Sequence, residues 1–338
     1  MNITVAGSGG WGLAMAKLLA EKGHAVSVWS HRPETTRLLR EKRCNPKLLS
    51  GVTLPEHIDF TDRLDGAGES PIVVLATPSY AVAETAERLR PFLHPGQTMV
   101  LLSKGFDLDH GCCLLSDTVS RVLGPEYPVV ALTGPSHAEE VSRGIPTAVV
   151  AACPRQASAE LVQETCSNSY FRVYTSPDLV SAELGGAMKN IMAIAVGVSD
   201  GYGFGDNTKA MLMTRGITEM SRLGVLLGGR EETFAGLSGV GDLIVTCISQ
   251  HSRNRRAGLL IGRGATAQQA LQQVGAVVEG YFATRAVHEL TAGQQVSMPI
   301  CEAMYDILFR EQPLPEVIEG LFRRSSRAEH DSHNMGWD

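Results

Sequence analysis

Aromatic residues are few, 6% of 338, and neither sign of charge dominates: 30 Lys and Arg stand against 36 Asp and Glu, for a net charge of −6. That balance lacks the broad basic footprint of a nucleic-acid-binding protein. A local basic cluster, Arg253, Arg255 and Arg256, therefore calls for a small anionic ligand or a solvated helix face. No uninterrupted apolar run reaches the roughly 20 residues of a membrane-spanning helix. The first residues enter a strand-like run without a charged leader, so no membrane insertion and no signal or transit peptide is expected, and the expected location is cytoplasmic. Seven cysteines, at 44, 112, 113, 153, 166, 247 and 301, show neither CxxC spacing nor a paired framework, which argues against disulfides, structural zinc and any other metal site. There is no GxxxxGK(S/T) loop, so a kinase or ATPase loses its main support. Pro/Gly/Ser-rich tracts, internal repeats and low-complexity segments are also missing, and the length suits two domains better than one continuous core.

What the chain has in quantity is glycine, 35 residues, and the first of them are the most informative. Ile3-Thr4-Val5-Ala6 leads into Gly7-Ser8-Gly9-Gly10-Trp11-Gly12, followed by a breaker-free run from Leu13 to Glu21. This is a GxGxxG fingerprint between a strand and a helix. Gly7 permits the tight turn, Gly9 lets a pyrophosphate approach bare backbone, and Gly12 lets the helix pack closely on the sheet, with its N-terminal amides facing the anion. The expected ligand is a dinucleotide.

Two halves follow different patterns. Up to about residue 174, short β-branched runs (3–7, 25–29, 72–76, 98–102, 128–132, 147–151 and 170–174) alternate with helical stretches. Several are continuously apolar, as strands buried on both faces of a mostly parallel sheet are. Beyond Ser176-Pro177-Asp178, segments of helical period take over: 178–199, 208–227, 253–262, 266–273, 280–292, 298–309 and 314–323. Ser176 or Asp178 can cap the first of these helices, and Pro177 suits a first turn. The fold class expected is α/β: a doubly wound Rossmann-type domain over residues 1–177, then an all-helical domain over 178–323. Residues 324–338, polar and without an apolar face, are expected to form a poorly ordered tail.

Strand two ends at Val28-Trp29-Ser30-His31-Arg32, where an NAD-selective fold usually places an acid for the ribose 2′-hydroxyl. None stands there, and Arg32 can meet a 2′-phosphate. NADP(H) is therefore the preferred coenzyme and NAD(H) the alternative; Arg32 can also be read as a surface residue opening the next helix. Lys104 follows an apolar strand and precedes Gly105, a position that projects toward a nicotinamide and toward a substrate oxygen, although a solvated loop lysine fits the local sequence equally. Lys189 interrupts an otherwise small and apolar run, Glu183 to Val196, with Asn190 beside it and two glycines in the helix interior. A lysine held there has its pKa lowered toward roughly 7–8 from about 10.4, which suits proton donation to a carbonyl. The alternative is a snorkelling lysine whose head reaches water.

Asp242 heads the apolar run after Gly239-Val240-Gly241, placed to orient a substrate hydroxyl, to pair with Lys189, or simply to cap a helix. Ser252-Arg253-Asn254 combines a capping hydroxyl, a guanidinium and free amides at a helix start, which together suit a phosphate; an ordinary capped basic helix is the other reading.

GSGGWG at 7–12, SKG at 103–105, TGPSHAEE at 133–140, ELGGAMKN at 183–190, GFGDN at 203–207, TRG at 214–216, GVGDLIVTC at 239–247, SRNR at 252–255 and VVEGYFA at 277–283 together resemble the NAD(P)-dependent glycerol-3-phosphate dehydrogenases, in particular their bacterial, biosynthetic form. The resemblance covers nearly the whole chain. It implies reversible reduction of dihydroxyacetone phosphate to sn-glycerol 3-phosphate with NAD(P)H, feeding glycerophospholipid synthesis, and by analogy a homodimer through the helical domain. It further implies Lys189 as proton donor and acceptor at the C2 oxygen, Lys104 as its companion there and at the cofactor, and Asp242 with them. Gly134, Ser136, Asn190, Thr246, Ser252, Arg253 and Asn254 complete the implied substrate set. Gly10, Trp11, His31, Arg32, Ala138, Val277 and Glu279, with Arg253, match cofactor positions beside Gly7, Gly9 and Gly12. Trp11 stands where Tyr or Phe is common and Met188 where Leu is common. Two other readings compete: a different two-domain hydroxyacid or ketopantoate-type dehydrogenase, whose phosphate-free substrate would leave Arg253 unpaired, and a non-catalytic NAD(P) sensor, which has no need of Lys104, Lys189 and Asp242 together.

Overall fold

The computed structural model describes residues 1–325 and residue 329; the rest of the expected tail, within 324–338, lies outside the described residues. Among the described residues there are ten strands: β1 (Asn2–Ala6), β2 (Ala25–Trp29), β3 (Asp59–Thr61), β4 (Ile72–Leu75), β5 (Thr98–Leu101), β6 (Phe106–Asp107), β7 (Cys113–Leu114), β8 (Val129–Thr133), β9 (Thr147–Ala152) and β10 (Phe171–Ser176). Eight of them form one sheet in the order β10-β9-β8-β5-β4-β1-β2-β3, and β6 and β7 form a short hairpin. From β8 to β3 the pairings are parallel; β9 turns antiparallel to β8, and β10 runs parallel to β9. Every residue of β4, β5 and β8 is buried, and apart from the terminal Thr98 and Thr133 their sequences are continuous apolar runs and not alternating ones. The order reverses between β1 and β4, which opens a crevice at the carboxyl ends of the strands. The doubly wound class expected from the sequence is the one observed.

The helices of this half are α1 (Gly10–Glu21), α2 (Pro33–Lys42), α3 (Val82–Leu89), α4 (Leu115–Leu123), α5 (Ala138–Val141) and α6 (Gln156–Cys166). Those that follow are α7 (Leu179–Tyr202), α8 (Asp206–Leu226), α9 (Asp242–Ile248), α10 (Arg253–Gly262), α11 (Ala267–Val274), α12 (Glu279–Thr291), α13 (Pro299–Phe309) and α14 (Leu314–Phe322). Among the described residues no strand follows Ser176. Asp178 caps α7, its Oδ1 accepting the Ser181 amide at 3.1 Å, and Pro177 precedes the cap instead of occupying the first turn.

Helix α7 organises the second half. By length and composition it is apolar enough to cross a membrane, contrary to the expectation that no stretch of the sequence reaches that length. Yet 89% of its most apolar window is buried in the protein, so this is the apolarity of a core helix. Its burial depends on helix–helix contact at backbone distance. A Cβ on Gly197 would stand 2.2 Å from the Arg255 carbonyl oxygen, and one on Gly258 of α10 would stand 2.1 Å from that of Ile194. The glycines thus let α7 and α10 touch main chain to main chain.

Candidate active site

The site grows from the carboxyl edge of the sheet. Gly7 leaves β1 with φ +132°, and a side chain there would meet the Ala76 carbonyl oxygen at 2.6 Å; one on Gly12 would meet the Gly7 oxygen at 2.1 Å. Gly9 differs: its nearest neighbour would be the Ala76 oxygen at 3.9 Å. Two glycines are therefore required by the turn itself, and the middle one leaves backbone open at the N-terminus of α1, where amides and dipole favour an anion. Gly10 abuts Ala138 of α5, at 3.8 Å from the Cβ it lacks, and the Trp11 ring lies 6.4 Å from that of Phe171.

Buried polar atoms point to a ligand here. Among the described residues, side-chain atoms buried without a hydrogen-bond partner are Trp11 Nε1, Thr77 Oγ1, His137 Nε2, Glu183 Oε2 and Ser199 Oγ. Trp11 lies in the glycine turn, Thr77 just past β4 against Gly7, and His137 between the expected residues Ser136 and Ala138. Buried polar groups are normally bonded, so this crevice is lined to receive polar atoms from outside the chain. The turn, the open backbone at Gly9 and these unpartnered polar atoms fit a dinucleotide.

At the centre stand two lysines and one aspartate. Lys104, just beyond β5, donates to Asp242 Oδ2 at 2.7 Å and to the Gly134 carbonyl at 3.2 Å. Lys189, from the middle of α7, donates to Asp242 Oδ1. Asp242 is fully buried, and Lys189 is 7% exposed. Burial alone would raise the Asp242 carboxyl, but the two ammonium groups outweigh it and hold its pKa below the usual range. Burial pushes Lys189 down to about 8, with Asp242 opposing the shift and Lys104 assisting it. A buried carboxylate shared by two cations keeps both near a common point, where a developing negative charge would find them.

Local structure explains this convergence. A single π-helical turn, Leu237–Gly241, precedes α9 and presents Asp242 as its first residue. That turn lies directly on α7, since a Cβ on Gly185 would be 2.1 Å from the Ser238 carbonyl oxygen. One residue along α7, Gly186 makes room for the Lys104 stem, whose Cγ lies 3.3 Å from where a side chain would begin.

The remaining expected residues fall into three groups. Gly134, Ser136, Asn190, Thr246, Ser252 and Asn254 come from the loop after β8, from the helices that carry Lys189 and Asp242 and from the start of α10, and each has at least one bond within the protein. Ser136 Oγ donates to the Gly134 carbonyl at 2.9 Å, Thr246 Oγ1 donates to the Asp242 carbonyl at 2.6 Å, and Ser252 Oγ caps α10 by accepting the Arg255 amide at 3.2 Å. Asn190 donates to the Gly186 carbonyl at 3.3 Å; Asn254 donates to Asn190 Oδ1 at 2.8 Å and accepts the Gly280 amide at 2.9 Å, tying α7, α10 and α12 together. Arg253 is exposed at the α10 start.

Glu279 and half-buried Val277 form the second group, where α12 meets the first half. Glu279 accepts the Ser79 amide at 3.2 Å and the Ser79 hydroxyl at 2.6 Å. Burial raises its pKa, against the Ser79 hydrogen bonds and the Arg253 charge. His31 and Arg32 stand apart, exposed past β2, with Arg32 Nε 3.2 Å from His31 Nε2. Strand β2 is three places from β5 in the sheet, roughly 14 Å at about 4.8 Å per strand. Only an extended ligand reaches both.

Sequence reasoning missed Thr77, His137 and Glu183 as polar groups of interest. Glu183 Oε1 accepts the Ser116 amide at 3.1 Å, linking α7 to α4, and burial raises its pKa to about 7. No spacing distinguishes these residues; the proximity of His137 to GPS and of Glu183 to Lys189 was the available signal.

Two family profiles match: NAD-dependent glycerol-3-phosphate dehydrogenase N-terminus over residues 2–159 and the corresponding C-terminus over residues 178–319. The chain is 47% identical to the glycerol-3-phosphate dehydrogenase (NAD(P)+) of Moorella thermoacetica over 98% of each chain. It is 47% identical to that of Geobacillus thermodenitrificans over 97% of this chain and 96% of the other. Its fold superposes on the crystal structure of glycerol-3-phosphate dehydrogenase from Coxiella burnetii with a TM-score of 0.91 at 35% identity, covering 96% of this chain and 99% of that one.

Proposed function

The chain belongs to the NAD-dependent glycerol-3-phosphate dehydrogenase family, and from that premise we propose that it reversibly reduces dihydroxyacetone phosphate to sn-glycerol 3-phosphate with NAD(P)H, in the service of glycerophospholipid synthesis. The observation that carries the reading is the Lys104–Asp242–Lys189 cluster at the sheet edge that also holds the glycine turn. When bound, the coenzyme supplies the hydride to C2.

The protein's part is positional and electrostatic. As C2 gains hydride its oxygen becomes an alkoxide; Lys189 gives it a proton, and Lys104 stabilises the charge that develops there. Asp242 holds both ammonium groups in place. Arg253 and the free amides at the α10 start take the phosphate, which fixes the reacting carbon. Gly7, Gly9, Gly10, Trp11 and Gly12 take the pyrophosphate side of the coenzyme, Arg32 and His31 its 2′-phosphate, and Ala138, Val277 and Glu279 the nicotinamide end. A division into a coenzyme domain, 1–177, and a catalytic helical domain, 178–323, follows from this placement. Cytoplasmic location and a homodimer through the helical half belong to the same reading. Exposed Tyr202, Phe204, Met211 and Phe322, which border an apolar groove there, support the dimer.

The direct test follows NADPH or NADH absorbance with dihydroxyacetone phosphate and, separately, unphosphorylated dihydroxyacetone. Consumption with the phosphorylated ketone and little with the other is expected; no consumption with either coenzyme would overturn the reading.

A further inference from the structure

We propose that Arg255 is a positioning residue of this reductase: paired with Asp200, it holds the first turn of α10 in the orientation from which Arg253 and the free amides meet the substrate phosphate. The inference rests on the reductase reading above and deepens its phosphate site. Three arginines crowd that helix start, and the structure separates them. Arg253 and Arg256 are exposed, whereas Arg255 is half-buried against α7. Its Nε and Nη2 donate to Asp200 Oδ2 at 3.1 and 2.5 Å.

Asp200 stands in the last turn of α7, and Lys209 of α8 lies 3.1 Å from its other oxygen, Oδ1. Lys209 also reaches Asp206 at 3.3 Å, so the GFGDN stretch, which the reaction itself leaves unused, belongs to the same network. One carboxylate thus joins α7, α8 and α10. The arrangement repeats that of Asp242, a carboxylate with a cation on each oxygen. With the Arg255 and Asp200 side chains only 19% and 13% exposed, the pair is screened less than one on the open surface.

A phosphate at a helix start is held by amides that point along the axis, so its affinity follows the direction of the helix. Backbone contact alone leaves that direction loose. Gly197 meets the Arg255 carbonyl and Gly258 that of Ile194, which lets the helices approach, but such contact lacks the directionality of a hydrogen bond. Two neighbouring side chains supply it. Asn254 is bonded to Asn190 and the Gly280 amide, and Arg255 to Asp200 at the far end of α7. The Arg255 amide also closes the Ser252 cap at 3.2 Å, so a single residue links the cap to that anchor. An anion bound by the Arg255 guanidinium itself would sit beside the Asp200 carboxylate, and like charges repel.

The test measures KM for dihydroxyacetone phosphate, Ki for inorganic phosphate, kcat and NADPH Kd in the wild type, Arg255→Met, Arg255→Lys and Asp200→Asn. Arg255→Met, which keeps an apolar stem, and Asp200→Asn should each raise KM and Ki together by about tenfold, while NADPH Kd by fluorescence stays within about twofold. Arg255→Lys, still able to pair with Asp200, should recover most of the loss. A fold merely weakened lowers the active fraction and so kcat, but moves neither KM nor Ki. Unchanged KM and Ki in Arg255→Met and Asp200→Asn would therefore leave the pair a structural role and overturn the proposal. A raised KM in Arg255→Met beside an unchanged or lowered KM in Asp200→Asn would overturn it too, because Arg255 would then contact the phosphate directly. Failure of the wild type to reduce dihydroxyacetone phosphate with either coenzyme would instead overturn the reductase reading, and the proposal with it.

Discussion

Glycine serves two regions of this molecule in opposite ways. At the β1–α1 turn, Gly7 and Gly12 let the chain fold onto itself so that Gly9 can leave backbone uncovered. Along α7 and α10, Gly197 and Gly258 let two helices close so tightly that nothing can enter between them. The first arrangement presents amides to a ligand; the second excludes water from the helix that carries Lys189. One region binds by exposure, and the other tunes a lysine by burial. Both rely on the absent Cβ, yet only the turn has a recognisable sequence motif.

Removing the lysine tests the buried region most severely. Lys189→Ala should reduce kcat by about 10³-fold, within the range that loss of a general acid produces, and leave coenzyme affinity unchanged. Equal loss of NADPH affinity, measured by fluorescence titration, would show that the lysine supports the fold or the nucleotide site.

The glycines themselves provide the next contrast. Gly258→Ala places a methyl 2.1 Å from a backbone oxygen, so overpacking should cost about 1–3 kcal/mol and lower Tm visibly. Gly9→Ala meets no atom closer than 3.9 Å, so Tm should hold while NADPH affinity falls. If both variants lose stability alike, the distinction between an exposing and an excluding glycine fails.

Titration should separate the regions again. With Lys189 lowered to about 8 by burial, ketone reduction needs the ammonium form, present below that value, and its kcat/KM should fall about tenfold per unit at higher pH. Oxidation of glycerol 3-phosphate needs the free amine and should rise toward the same point. Coenzyme affinity, which the reading above places on backbone amides and the β2–α2 turn away from Lys189, should remain flat between pH 7 and 9, to about twofold. A reduction profile without a break near 8 would detach the lysine from proton transfer.

Much of the fold was legible because burial leaves a pattern in sequence. Strands β4, β5 and β8, covered on both faces, are continuous apolar runs, and the helices after Asp178 have an amphipathic or wholly apolar period. The elements that escaped are too short to have a period: β3 has three residues with only Phe60 buried, and the β6–β7 hairpin has two per strand. The π turn before Asp242 has the same difficulty. Lys104, Lys189 and Asp242 were each conspicuous, and the pairing of Asp242 with Lys189 was one of the readings open to sequence; that Lys104 joins the same carboxylate was not. The aspartate is 138 residues from one lysine and 53 from the other, and only the packing of Gly185 against Ser238 brings it there. Asn254 adds what spacing does not show: its side chain ties α7 to α12 through Asn190 and Gly280, while its backbone amide stays in the first turn of α10. His137 was hidden because an unsatisfied ring nitrogen is a property of three-dimensional burial, not of spacing.

Arg32 closes the comparison with the smallest effect, at the far end of the exposed region. It is the N-cap residue of α2, its amide 3.4 Å from the Ser30 hydroxyl. Its side chain touches His31 and is otherwise open to solvent. Removing that side chain costs the fold little, so Arg32→Ala should leave Tm within about 1 °C, a surface substitution away from packing. A guanidinium in water adds modest energy to a phosphate contact. NADPH affinity should therefore fall only several-fold, with NADH affinity nearly constant. The ratio of the two Kd values is the decisive number, because a general distortion of the β2–α2 turn would weaken both coenzymes together. A ratio unchanged from wild type would remove Arg32 from coenzyme selection and leave the missing acid after β2 without a functional consequence.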